Sequence, residues 1–185
     1  MNKFNDIFDS RYKQGKALFG NEPMPLVVEA IKTLKKDGKV LDLGVGDGRN
    51  AIYLLKNGFN VTGVDMSKEG LENLKEKAGN YQDKLTLINS NVLDLELTDK
   101  FDMIIGIGLL HFLEYSDIQK LMDWVQNHTE SGGINIFVAK MMQNMRNNLP
   151  YIFEAGVLES FYTVPEWEII QYEEEHRASI MARKK

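Results

Sequence analysis

The 185-residue chain contains no cysteine. That absence excludes disulfides, thiolate metal sites and any mechanism built on a cysteine nucleophile. It accords with a reducing compartment. An excess of positive charge is also missing: 22 Lys and Arg stand against 27 Asp and Glu, a formal net charge of −5. A dedicated nucleic-acid binder ordinarily presents a basic face. Here the lysines are scattered among carboxylates, and the closing "ARKK" reads as a solvated tail. Long apolar runs are absent too. No window approaches the roughly 18 apolar residues of a membrane span, and the opening "MNKFNDIFDSRYKQGKALFG" has no apolar core of signal-peptide type. The expectation is a cytoplasmic single domain over residues 1–185, without membrane or nucleic-acid partners.

What is present is an alternation of helix-period and strand-like segments. "PLVVEAIKTLKKDG" places Leu26, Val27, Ala30, Ile31 and Leu34 on one helical face, with Asp37-Gly38 as its stop. "KVLDLG", "NVTGVD", "KLTLIN" and "FDMIIGIG" read as strands one to four, and "GGINIFVA" as strand five. Between them lie the helices "RNAIYLLKNG", "SKEGLENLKEKAG" with Ser67 as N-cap, and "SDIQKLMDWVQNH". A helical stretch near "IFEAGVLESFY" and a strand pair, "WEIIQYEEE" with "RASIMARK", close the chain. Such alternation predicts an α/β fold with a parallel sheet. Ligands then sit beyond the carboxyl ends of the strands. Residues 1–22 precede the repeat and are expected to act as a lid-like segment over that rim.

Three glycines, Gly44, Gly46 and Gly48, follow strand one. Glycine tolerates positive φ and lets a ligand approach the backbone. A dinucleotide enzyme wants G-x-G-x-x-G, but Arg49 occupies the last position of that spacing. Asp65 ends strand two, 65 − 46 = 19 residues after Gly46. A carboxylate there can accept hydrogen bonds from both hydroxyls of a ribose. The plainer role for Asp65, capping the next helix, is better filled by Ser67.

"VLDLGVGDGRN", "VTGVDMS", "INSNVLDL" and "FDMIIGIGLLHFLE", in this order, resemble the motifs of class I S-adenosylmethionine-dependent methyltransferases. The opening "FDSRYKQGKALFGNEP", the "GDGRN" variant and the ending "IMARKK" resemble the tellurite-resistance, TehB-like group more specifically. The resemblance implies a Rossmann-like three-layer sandwich whose seven-stranded, mostly parallel sheet has the order 3-2-1-4-5-7-6, with helices on both faces. It implies S-adenosyl-L-methionine as cofactor. Asp42, Gly44, Val45 and Gly46 would flank its methionine part. Asp65 would bind the ribose and Met66 would pack on adenine. Asn91 stands where aspartate is usual, opposite the adenine amine, and an amide oxygen can still accept that bond. The Val92 N–H would meet adenine N1, and the Gly106 carbonyl the methionine amine. Arg49 and Asn50, which open the first helix of the repeat, count among the implied cofactor-binding residues; Arg49 would reach the methionine carboxylate or else form a structural ion pair.

Methyl transfer from a sulfonium needs alignment and exclusion of water more than it needs acid–base machinery. The acceptor is expected beyond strand four, in "GIGLLHFLE". The proline-aromatic motif of adenine amino-methylating enzymes is missing there, and a cytosine-C5 mechanism is excluded by the lack of cysteine. His111 is the catalytic candidate, since an imidazole pKa near neutrality suits a base or an orienting donor; a purely structural hydrogen bond is the competing role. Tyr12 and Phe19, together with Arg11, belong to the lid segment, and His176 and Arg177 to the rim of the last two strands. All are candidate substrate contacts. "KMMQNM" offers thioethers either to an acceptor pocket or to a core edge. No metal site is expected, "YEEEH" being a solvated edge strand. The function expected is methyl transfer to a small molecule, a thiol or a chalcogen compound such as tellurite, by a monomer or homodimer. The alternatives are a non-catalytic cofactor-binding module and a nicotinamide-dependent oxidoreductase.

Overall fold

A computed structural model describes residues 3–14, 19–141 and 149–185, the first three of these by backbone alone. Contacts cluster into two compact units, residues 1–97 and 98–185. One seven-stranded sheet has the order β3-β2-β1-β4-β5-β7-β6, as the resemblance implies.

The first unit contains helices α1 (Lys3–Tyr12) and α2 (Pro25–Ala30), and then β1 (Lys39–Leu43), α3 (Arg49–Lys56), β2 (Asn60–Asp65), α4 (Lys68–Ala78) and β3 (Leu85–Asn89). β1 pairs parallel with β2, and β2 with β3, in unbroken register from Lys39↔Asn60 to Asp65↔Asn89. The register puts Asp42 beside Gly63. β1 is buried after its first residue, as a parallel strand covered on both sides should be.

α2 is shorter than its periodicity predicts. After Ala30 the chain turns by shorter bonds, Lys32 N–H to the Glu29 carbonyl and Thr33 N–H to that of Ala30. The Thr33 hydroxyl also donates to the Ala30 carbonyl at 3.1 Å, a side-chain bond that competes with the helical ladder. Leu26, Val27 and Ala30 are buried, whereas Ile31 and Leu34 are only partly so.

α1 is docked on α4 at three points. Asp9 Oδ1 accepts the Ser67 hydroxyl and, at 3.5 Å, the Glu69 N–H. Asn73 Nδ2 donates to the Tyr12 carbonyl at 3.1 Å, and Lys13 pairs with Glu69 at 3.3 Å. Asp9 thus places a negative charge at the amino end of α4, where exposed N–H groups favour it. Ser67 caps α4 itself, accepting the Gly70 N–H at 3.0 Å.

The second unit contains β4 (Phe101–Ile107), α5 (Tyr115–Asn127), β5 (Thr129–Lys140), a short α6 (Val157–Ser160), β6 (Trp167–Glu174) and β7 (Arg177–Lys184). β4 and β5 are parallel, β5 and β7 antiparallel, and β6 and β7 form a hairpin. β5 begins three residues before its predicted start, and the β4–β5 register shifts between Phe101 and Met103. α5 buries Ile118, Leu121, Met122 and Val125, the stripe its spacing predicts. β4 runs one residue beyond Gly106. A Cβ on Gly106 would lie 2.4 Å from the ring of Phe137, its partner in β5.

Candidate functional site

The glycine loop after β1 is built around two carbonyl and carboxylate acceptors. The N–H groups of Gly44 and Val45 both donate to the Val64 carbonyl, at 2.8 and 3.0 Å. The Gly46 N–H donates to Asp65 Oδ2 at 2.8 Å, and the Ser67 N–H to Oδ1 at 2.8 Å. Gly44, Gly46 and Gly48 have φ of 72°, 55° and 85°, values that L side chains avoid. Gly48 is needed for space as well, since a Cβ there would meet Leu74 of α4 at 2.2 Å.

Asp65 is therefore oriented before any ligand arrives. Burial raises its pKa, opposed by the backbone N–H groups of Ser67 and Gly46. The Met66 N–H is a third backbone donor that lowers it, and a carboxylate, with about four lone-pair positions, can still accept from a ligand hydroxyl. Asp42 is 3% exposed. Burial, and then the Asp65 charge, push its carboxyl up to about 7, with Arg49 opposing. Asn89 Nδ2 spans the backbone carbonyls of Asp65 and Met66, at 3.0 and 2.9 Å, and so fixes the turn that carries both.

Tyr12 closes over this loop. It is 4% exposed, and a Cβ on Gly46 would lie 2.4 Å from its hydroxyl. A Cβ on Gly70 would lie 3.1 Å from its ring. Burial, and then the charges of Asp65 and Asp47, raise its pKa. Asp47 is itself buried and accepts Lys77 Nζ at 2.6 Å. Phe19, by contrast, is 56% exposed, and its carbonyl accepts Arg49 Nη1 at 2.9 Å. Asn50 is buried and accepts the Met24 N–H at 2.9 Å. Arg49 and Asn50 thus tie the segment before α2 to the start of α3. Asn91 Oδ1 accepts the Leu93 N–H at 3.1 Å, holding a 3-10 turn in which Val92 is buried. Met66 is half-buried.

In the second unit, a single 3-10 turn over Leu110–Phe112 follows β4 and carries His111. The residue is 7% exposed, and its ring lies 4.4 Å from that of Phe112. Its Nδ1 is buried without a hydrogen-bond partner. Burial and the nearby Lys140 charge hold its pKa down to about 4. This corrects the expectation of a near-neutral pKa: at pH 7 the imidazole is neutral and a weak base. His176 and Arg177 are exposed, at the two-residue turn between β6 and β7 and at the start of β7. Of the methionines in "KMMQNM", Met141 bridges to Phe153, whereas Met142 and Met145 lie outside the described residues. Among the described residues no cluster of His, Asp and Glu could hold a metal ion, and no helix is long and apolar enough to cross a membrane.

Four contributors had escaped the sequence reading: Asp9, Asn89, the Asp47–Lys77 pair and Lys140. Only Asn89 carried a visible signal, as a polar residue ending an otherwise apolar strand.

A family model described as tellurite resistance protein TehB matches residues 3–180. A relative from Haemophilus influenzae (strain 10810), named a probable S-adenosyl-L-methionine-dependent methyltransferase TehB, is 30% identical over 175 residues. The match covers 93% of this chain and 58% of that relative, so the chain spans less than two thirds of its length. The crystal structure of TehB from Haemophilus influenzae superposes with a TM-score of 0.81 at 24% identity, covering 98% of this chain and 67% of that one. A Burkholderia thailandensis 1,6-didemethyltoxoflavin-N1-methyltransferase, solved with S-adenosylhomocysteine, gives 0.80 at 19% identity, with 98% and 87% covered. These two structures share the fold. The match along nearly the whole sequence places this chain in the TehB tellurite-resistance protein family.

Proposed function

We propose that the protein is an S-adenosylmethionine-dependent methyltransferase acting on a small acceptor, a thiol or a chalcogen compound such as tellurite. The observation that carries the reading is the Asp65 carboxylate at the end of β2, held in place by the Gly46 and Ser67 N–H groups beside the glycine loop. A ribose diol fits that geometry. The relatives' names support the same cofactor.

In this reading Asp65 binds the ribose, Met66 and the Val92 N–H hold adenine with Asn91, and the loop Gly44–Val45–Gly46 admits the methionine part. Asp42 flanks that part with the loop; the Gly106 carbonyl is assigned to its amine and Arg49 to its carboxylate. Tyr12 and its neighbours among the described residues 3–14 and 19–22 form the lid, with Phe19 at its exposed edge; the other residues of the segment read as a lid lie outside the described ones. When bound, the cofactor supplies a methyl group on a sulfonium sulfur, which takes back the electron pair of the breaking bond as the acceptor's lone pair forms the new one. His111 is too weak a base at pH 7 to hold a proton, so its part is to orient the acceptor. Nucleophiles that ionise in water need nothing more.

The test is titration with S-adenosylmethionine followed by detection of S-adenosylhomocysteine across thiol, selenite, tellurite and phenol panels. Product with any member supports the reading. Binding without product across all four panels favours a non-catalytic binding module. No binding, with saturable enhancement of NADH fluorescence, favours an oxidoreductase.

A further inference from the structure

Helix α5 buries Ile118, Met122 and Val125 completely. Tyr115 falls on the same helical stripe, three residues before Ile118 and seven before Met122, yet it is 38% exposed. The difference is one of place. α5 follows β4 and leads back to the parallel strand β5, so its first residue stands at the carboxyl edge of the sheet. At that edge Met141 bridges in parallel to Phe153, whose N–H donates to the Lys140 carbonyl at 3.0 Å. Phe153 is fully buried. The ring of Tyr151 meets it edge-on at 5.1 Å and 81°, and the ring of Tyr115 lies 5.0 Å from that of Tyr151 at 31°. Both spacings are those of favourable aromatic pairs. The three rings form a row that steps outward, from buried Phe153 through half-buried Tyr151 to exposed Tyr115. Burial, and then Tyr115 and Glu154, raise the Tyr151 pKa, so its phenol is uncharged at neutral pH.

The turn after β4 is tied to the same place. The Gly108 N–H donates to the Val138 carbonyl at 2.9 Å, and the Lys140 charge acts on His111. The buried Nδ1 of His111 has no hydrogen-bond partner, a cost that a polar ligand group would recover. Ligands of such sheets sit beyond the carboxyl ends of the strands. A row of rings there offers a surface to another flat ring. An oxyanion gains nothing from it, because the face of a ring is the negative pole of its quadrupole.

We propose that Tyr115 and Tyr151 hold the body of the methyl acceptor, and that the acceptor is a thiol carried on a planar aromatic ring. That ring extends the row, and His111 orients the thiol sulfur. The sulfur forms its bond to the methyl carbon as the carbon–sulfonium bond breaks; the electron pair of that bond returns to the cofactor's sulfur, and the thiol proton passes to water. This deepens the methyl-transfer reading above and rests on it.

Phenylmethanethiol and cyclohexylmethanethiol carry the same thiol-bearing carbon on rings of one size, flat in the first and puckered in the second. Each is titrated into protein saturated with S-adenosylhomocysteine, and each is assayed for methylation. The phenyl compound should bind roughly two- to tenfold more tightly through ring stacking, although the cyclohexyl compound is the more apolar. The preference should vanish in Tyr115→Leu and in Tyr151→Leu, through KM more than kcat, and persist in Tyr115→Phe and Tyr151→Phe. All four variants should bind S-adenosylhomocysteine as wild type does. A loss of that affinity together with the preference would mean that the rings hold the fold and not the acceptor, and overturns the proposal. So does equal or tighter binding of the cyclohexyl compound, or a preference unchanged in both leucine variants. Methylation of both thiols with equal kcat/KM overturns it and leaves the methyl-transfer reading intact. A phenyl preference lost in the leucine variants, with neither thiol methylated, supports the ring-binding row and overturns the methyl-transfer reading.

Discussion

The carboxylate of Asp65 holds the backbone N–H of Gly46 at 2.8 Å across 19 residues of sequence. The glycine loop and the end of β2 are therefore one structural unit, not two motifs that happen to meet at a ligand. Its other oxygen holds the Ser67 N–H, so the same side chain also sets the entry to α4. A ligand drawn to Asp65 finds its receptor already assembled.

Asp65→Ala should consequently lose twice. Titration with S-adenosylmethionine should show a loss of about 2–4 kcal/mol, roughly 30-fold or more in affinity, from the missing ribose acceptor. Urea unfolding should show a separate loss of about 1–3 kcal/mol, because the Gly46 and Ser67 N–H groups lose their acceptor. Asp65→Asn should fall between, since its single amide oxygen serves only one of them. Wild-type affinity in the alanine variant would remove Asp65 from the site.

Gly46→Ala tests the closure of Tyr12. The backbone strain of an alanine at φ 55° costs about 1–2 kcal/mol. The Cβ would also sit 2.4 Å from the Tyr12 hydroxyl, and α1 must shift to make room. Tyr12→Phe removes that atom, so the double variant should recover the steric part of the loss but none of the strain. Purely additive urea midpoints for the two changes would show that Tyr12 does not lie over Gly46 in solution.

The strands, the amphipathic face of α5 and the placing of the glycines and Asp65 were legible because each rests on spacing along one chain segment. What was not legible depends on register or burial. Gly106 was read for its carbonyl alone; its missing side chain is also required by Phe137, which only the β4–β5 pairing brings opposite. The bonds that Arg49 and Asn50 make to the segment before α2 join residues 30 and 26 positions apart, and spacing along one segment does not show them. Lys140 was passed over because the group its charge acts on, His111, lies in another loop. Burial, invisible in a bare sequence, moved His111 away from the neutral range.

That shift can be read directly. The chain has three histidines, so their ring resonances can be assigned and followed by NMR. His111 should stay unprotonated until about pH 4. The pH profile of kcat/KM should show no inflection from it between pH 6 and 8. A His111 titration near 6.5 would contradict the burial that places its Nδ1 out of water.

His111 and Asp42 should also oppose each other in stability. His111 falls from 6.5 to about 4 on folding, so between those values the unfolded chain binds the extra proton. Its contribution is then present above pH 6.5 and is lost as pH falls. Asp42 rises from 3.8 to about 7, so in that window the folded chain holds the extra proton. Its contribution favours folding at low pH and is lost as pH rises toward 7. Each slope is at most about 1.4 kcal/mol per pH unit, and between about pH 4 and 6.5 they oppose. Urea midpoints against pH should therefore tilt in opposite senses in two variants. His111→Asn leaves the Asp42 slope, with stability falling toward pH 7, and Asp42→Asn leaves the His111 slope, with stability rising toward pH 6.5. We propose that residues 1–185 unfold as one domain, in which case both slopes act on a single transition. Two transitions, one moved only by Asp42→Asn and the other only by His111→Asn, would instead mean that residues 1–97 and 98–185 fold independently.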